Sequence, residues 1–269
     1  MNKNNVVIKD NKVIKKRNDR VLELYDYLSS RGFDNYPNVL NKNDETIESE
    51  YIKESNIYEE CEGEELIKTI SALHSKTVEY KSTSKNKYRQ IYDSISGNIE
   101  YLKEYYENMI SDIEEEEYMK SSHYLIARNY TIIDSSIKYS SRALKTWFNK
   151  VSDKSKERVC IVHNNISSSH FIKGDKNCLL SFDNYLVDTP ILDLYKYYKR
   201  EGYKLDFNRL LDIYENNFKL LDEEKLLLNV LVSIPPKIIE VNNEYLNCKN
   251  IRSLINYINI SINVVNNNK

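Results

Sequence analysis

Val162-His163-Asn164-Asn165-Ile166-Ser167-Ser168-Ser169-His170-Phe171-Ile172 carries the clearest architectural signal in the chain. The apolar run Val159 to Val162 ahead of it reads as a strand, so His163-Asn164-Asn165 is a polar turn at the strand's end. A second apolar run, Leu179-Leu180, leads into Ser181-Phe182-Asp183. Asp188-Thr189-Pro190-Ile191-Leu192-Asp193-Leu194 then opens a helix.

The bulk composition bounds what such a frame can belong to. With 41% hydrophobic and 30% charged residues over 269 positions, the chain can bury one large core or two modest ones. No run approaches the ~18 apolar residues of a membrane span. Met1 to Asn5 carries no apolar signal core, so a cytoplasmic location and no membrane partner are expected. A net charge of −2 gives no global attraction to nucleic acid, and none is expected as a partner. Glu114 to Glu117 reads as a solvated helix end. Cys61, Cys160, Cys178 and Cys248 form no Cys-x-x-Cys pair, which argues against zinc or redox chemistry. Only 5 Gly and 4 Pro point to a mostly helical chain.

Along the chain, Val6 to Lys9 and Lys12 to Lys15 flank Asp10-Asn11 as a β-hairpin. A helix is expected from Asp19 to Arg31, with Gly32 as its stop. Asn38 to Leu40, Glu48 to Lys53 and Asn56 to Glu60 are strand candidates, and Cys61-Glu62-Gly63 a hinge before a helix over 64–74. Further helices are expected over 87–119 (as one or two), 134–150, 207–218, 223–234 with Asp222 as N-cap, and 252–264.

The pattern His163-Asn164-Asn165, four residues, His170, then Ser181-Phe182-Asp183 and Asp193-Leu194 resembles the catalytic core of the aminoglycoside phosphotransferase and choline kinase-like proteins. The resemblance implies an α+β, two-lobed protein kinase-like fold. Its parts would be a reduced β-rich N-lobe over residues 1–60 and a mostly helical C-lobe over 61–269. Gly32-Phe33, Leu73-His74-Ser75-Lys76-Thr77 and Asp193-Leu194-Tyr195-Lys196-Tyr197-Tyr198 are similar to CotS-type spore coat proteins within that superfamily.

The same resemblance places Asn165 where the family carries its catalytic Asp, next to His163. It places His170 at a metal-binding Asn and Ser181 at the principal magnesium Asp. A carboxamide cannot take up a proton near neutral pH. Magnesium wants oxygen ligands, carboxylates above all, which neither imidazole nor a serine hydroxyl supplies. Asp183 keeps the second acid of the motif, and a shift of alignment would make it the principal metal ligand. Lys15 would be the phosphate lysine, with Glu23 as its ion-pair partner; the residues equally allow a solvated hairpin with an exposed lysine. No glycine precedes Gly32, so nothing upstream resembles a glycine-rich phosphate cover. Asp193 would bond backbone around the catalytic loop, and Asp188 would cap the helix after Pro190.

These readings lead to a catalytically degenerate phosphotransferase with a binding or structural role in spore coat assembly, partnered by other coat or cellular proteins, and with no cofactor. The alternative is an active ATP-dependent kinase that phosphorylates a hydroxyl group, using Asp183 and a divalent metal such as Mg.

Overall fold

The computed structural model of the chain describes residues 6–54 and 59–267, with the backbone only for 59–61. An antiparallel sheet of order β1-β2-β4-β3 comes first. β1 (Val7–Lys9) and β2 (Lys12–Lys16) are joined by Asp10 and Asn11 at φ 50 and 59. That left-handed pair suits the right-handed twist of a hairpin, and Asp and Asn adopt it at low cost. β3 (Val39–Lys42) and β4 (Thr46–Glu50) complete the sheet, β4 pairing with both β2 and β3.

Between β2 and β3 runs α1 (Asp19–Ser30), which buries Val21, Leu24 and Leu28. It ends in a Schellman motif. Gly32, at φ +72, donates to Ser29 O and Phe33 donates to Leu28 O, which satisfies carbonyls a helix end would leave orphaned. Phe33 is then driven fully into the core.

The expected hinge at Cys61-Glu62-Gly63 is corrected: these residues lie inside α2 (Glu59–Thr77). Gly63 is there for close packing. A Cβ on it would lie 2.9 Å from Leu205 Cδ1 and 2.9 Å from the Tyr197 hydroxyl. Of the strand expected at Asn56 to Glu60, residues 56–58 lie outside the described residues, and Glu59 and Glu60 are helical.

The remaining elements are β5 (Glu79–Ser82), α3 (Lys85–Glu114), α4 (Ser121–Val151), β6 (Lys156–Val162), β7 (Phe171–Ile172), β8 (Cys178–Leu179), β9 (Leu186–Asp188), α5 (Ile191–Arg200), α6 (Phe207–Glu215), α7 (Asp222–Ser233) and α8 (Glu244–Asn267). α4 and α8 each begin well before the expected 134 and 252. Their first turns carry polar residues that a search for apolar periodicity passes over, such as Ser121 and Ser122 in α4. Asp222 is not the N-cap of α7. Leu221 holds that position, its N–H donates to Glu224 Oε2 at 2.8 Å, and Asp222 pairs with Lys150 at 2.8 Å.

The chain forms two compact units. One combines Met1–Tyr80 with Arg158–Lys219, the other Lys81–Glu157 with Leu220–Lys269. The described part of residues 1–60 therefore belongs to the first unit, together with part of 61–269. The second is helical, built on α3, α4, α7 and α8. Ile99, Leu102, Ile133, Leu144, Leu228, Val230 and Ile258 fill its core, each fully buried side chain contributing about 1.5–3 kcal/mol. Trp147 meets Tyr88 edge-on at 6.1 Å. Among the described residues, no helix is long and apolar enough to cross a membrane.

A charged cluster sits at one end of this helical unit. His123 Nδ1 lies 2.8 Å from Glu116 Oε1, and Nε2 lies 2.8 Å from Glu240 Oε1. Burial opposes the imidazolium, but the two carboxylates outweigh it and hold the His123 pKa above its ordinary value. A raised folded pKa stabilises the fold fully below the unfolded value of about 6.5 and loses that contribution as pH rises through the folded value. The stability difference between wild type and His123→Gln, read from urea midpoints, should therefore be larger at pH 6 than at pH 9.

Candidate functional site

The site grows from one buried carboxylate. Asp193, in the first turn of α5, is 0% exposed. Its Oδ2 accepts from the His163 N–H at 2.7 Å and its Oδ1 from the Asn164 N–H at 2.7 Å. His74 Nε2 of α2 lies 3.1 Å from Oδ2, and because a carboxylate only accepts, Nε2 carries the proton. The other nitrogen of His74 meets the Tyr214 hydroxyl of α6 at 2.7 Å. One carboxylate thus ties the end of β6 to α2, α5 and, through His74, α6. The turn it holds is left-handed at Asn164 (φ 64), a conformation that asparagine tolerates far better than most residues.

His163 is fully buried. Nε2 must donate to the Leu180 carbonyl, 2.6 Å away, and the ring packs on Phe182 with centroids 4.8 Å apart. Burial lowers the His163 pKa, so the ring is neutral, and Nδ1 has no hydrogen-bond partner among the described residues. It bridges the two motifs and is not placed to exchange protons with a ligand. Phe182 in turn meets Tyr25 edge-on at 5.9 Å, and Tyr25 stacks on Tyr36 at 4.2 Å. Burial, with the charge of Asp183 adding to it, raises the Tyr25 pKa.

Ser181, the buried Phe182 and Asp183 all line a cavity of about 320 Å³ in the first unit. Its other walls include Ile8, Val13 and Lys15 from the hairpin, Ile47 and Tyr51 from β4 and just beyond it, and Leu180. The linker residue Ile52 also lines it, and the turn after β7 presses against that linker. A Cβ on Gly174 would lie 2.8 Å from Lys53 O, so the approach requires glycine. The cavity therefore lies beside residues 51 and 52.

Asp183 Oδ1 accepts from Asn18 Nδ2 at 3.1 Å, and Arg20 Nη2 donates to Tyr185 O at 2.8 Å. Both donors stand at the start of α1, and sequence reasoning missed them. Asn18 precedes the helix as an N-cap should, but its side chain reaches Asp183 instead of the helix N–H groups. Lys15 reaches the cavity wall, whereas Glu23 is exposed and no ion pair joins the two among the described residues. Asp188 does not cap α5: its Oδ1 accepts from the Thr189 N–H at 2.7 Å, and Pro190 holds the N-cap position.

Asn165 and His170 do not line this cavity. His170 Nδ1 donates to Asn165 O at 2.8 Å, and Asn165 Oδ1 accepts from Arg200 Nη1 at 3.3 Å. Among the described residues no three His, Cys, Asp or Glu side chains gather as metal ligands. Two carboxylates line the cavity, Asp183 and Glu50, but Glu50 accepts from the Asn38 N–H at 2.9 Å and from Asn38 Nδ2 at 3.0 Å, and the pair is a poor fit for a magnesium nucleotide, whose hard cation favours several converging oxygen ligands.

The geometry makes stability sensitive at two positions, Asp193 and Ser181. Asp193→Ala should cost about 3–5 kcal/mol in urea unfolding, since it strands buried donors. Asp193→Asn should also destabilise, because its amide nitrogen cannot accept. Ser181 sits at φ 61 and ψ 54. Ser181→Gly should be neutral or stabilising by up to ~1 kcal/mol, whereas β-branched Ser181→Val should lose about 1 kcal/mol or more.

No family model matches the chain, and no curated protein matches its sequence. Its fold does match solved structures. An aminoglycoside phosphotransferase from Alicyclobacillus acidocaldarius superposes with a TM-score of 0.61 at 9% identity, covering 98% of this chain and 88% of that one. Spectinomycin phosphotransferase gives 0.46 at 12% identity, over 96% and 88% of the two chains. The choline kinase LicA from Streptococcus pneumoniae gives 0.43 at 12% identity, over 97% and 88%. On the first of these likenesses, the chain has a protein kinase-like α+β fold with a small antiparallel-sheet N-lobe.

Proposed function

We propose that this chain is a retained phosphotransferase scaffold whose role is binding or structural. The observation that carries the reading is the state of the three reactive positions. Asn165 spends its oxygen on Arg200, and His170 spends its Nδ1 proton on the Asn165 carbonyl. Ser181 offers an uncharged hydroxyl. Loss of a general base costs roughly 10²–10⁴-fold in rate, and loss of the metal carboxylate removes charge neutralisation as well. The single remaining acid, Asp183, already accepts from Asn18. The hairpin beside the cavity closes in the two residues Asp10 and Asn11, which lack the run of N–H groups that cradles phosphates. The CotS-type resemblance extends this reading to a spore coat component that works with other coat or cellular proteins.

One observation favours a second reading, an ATP-dependent kinase acting on a hydroxyl group. Lys15 and Asp183 share the wall of a cavity of about 320 Å³, where a metal-bound nucleotide would have to sit.

Thermal unfolding separates the two. ATP with magnesium or manganese should leave the melting temperature unchanged, and no phosphorylated product should form from amino alcohols or sugars. A metal-dependent shift with ATP, together with turnover that Asp183→Ala abolishes, would establish the kinase. Asn165→Asp combined with Ser181→Asp should not create activity.

A further inference from the structure

Beside the His163-Asn164-Asn165 turn lies a second cavity of about 440 Å³. It is lined by Asn164, Asn165, Ile166, Lys196, Lys199 and Arg200. We propose that it is a binding site for a small molecule carrying a phosphoryl group.

The three cations follow the spacing i, i+3 and i+4 on α5, which puts them on one helix face. All three are exposed, and among the described residues none makes an ion pair with a carboxylate. Lys196 and Arg200 hydrogen-bond to neutral groups, and Lys199 Nζ lies 5.9 Å from the centre of the Tyr195 ring. Lys196 Nζ donates to Asn164 O at 3.1 Å and to Asn164 Oδ1, and Arg200 Nη1 donates to Asn165 Oδ1 at 3.3 Å and Ile166 O at 3.2 Å. Such contacts orient the cations without neutralising them. Like charges at this spacing cost a helix a few tenths of a kcal/mol per pair. The helix dipole favours Lys199 and Arg200 in the last turn, but it does not account for Lys196 a turn earlier.

The neighbouring acid is committed elsewhere. Glu201 Oε2 accepts from the Ser168 N–H at 2.9 Å and from its hydroxyl at 2.6 Å, and Glu201 lines a different cleft with Gly63 and Leu205. Asn165 completes the pattern. Guanidinium only donates, so the Asn165 oxygen must face Arg200, and its Nδ2 remains a donor. The side chains of the wall thus offer mainly donors and no negative charge. That chemistry selects a ligand rich in acceptors, and a planar guanidinium beside two ammonium groups suits a phosphoryl dianion best. Asn165 here is more than a missing base, because an aspartate in its place would put a carboxylate against Arg200 and in the site itself.

The inference holds whether or not a nucleotide binds on the Asp183 side, and its test is separate. Inorganic phosphate, glucose 6-phosphate and glucose would be titrated into the full chain at constant ionic strength, with binding read by calorimetry. Glucose 6-phosphate should bind and glucose should not; binding of inorganic phosphate with equal affinity would reduce the site to one for the free anion and overturn the small-molecule assignment. Lys199→Ala combined with Arg200→Ala should weaken binding about tenfold or more, with the unliganded melting temperature serving as the control for folding. Asn165→Asp, nearly isosteric, should weaken it similarly. The proposal is overturned if wild type binds neither phosphate, if both variants bind as wild type does, or if Asp183→Ala abolishes binding while the α5 variants leave it intact.

Discussion

A buried carboxylate without its donors is among the most costly things a protein can contain, and Asp193 is such a group unless the turn at His163 and Asn164 is in place. The dependence is mutual. The two N–H groups point inward because the turn after β6 is left-handed at Asn164, and they would be orphaned without the carboxylate. His74 adds α2 to the same point, and its contact with Tyr214 adds α6. The geometry of the loop thus follows from the electrostatics of one side chain, whatever groups the loop presents to solvent.

That separation makes the frame independent of whatever chemistry the loop carries. Asp193, His163 and Phe182 interact with one another and with backbone, so their energies are independent of any ligand. The sequence resemblance singles out Asn165, His170 and Ser181 as the positions that would touch substrate or metal. Here each has a local occupation or sits at a strained backbone position. Asn18 likewise engages Asp183.

Much of this was legible in the sequence. The hairpin at Asp10-Asn11, the stop at Gly32 and the strand leading to His163 each carry a local signal that the fold obeys. Local signals also misled. Gly63 reads as a hinge because glycine so often marks one, yet its meaning lies in Tyr197 and Leu205, far away in sequence. Asp222 reads as a cap, but the capping acid is Glu224, which returns to the Leu221 N–H. The spacing of Lys196, Lys199 and Arg200 was visible, but which way that face of α5 points depends on where Leu194, Tyr197 and Tyr198 are buried. Periodicity gives a face; only packing gives it a direction.

Each compact unit is assembled from two separated stretches of chain. As synthesis proceeds from the N-terminus, the hairpin, α1 and α2 emerge without the strand β6 and the carboxylate of Asp193 that complete their unit. α3 and α4 emerge before either. These two long helices can pair with each other as a local hairpin, which shortens the effective loop between Tyr80 and Arg158 and lowers the entropy cost of closing it. The unit bearing the motifs can close once Lys219 has left the ribosome, whereas the helical unit must wait for α8. Vectorial synthesis therefore imposes an order on folding, with the interrupted unit able to finish first.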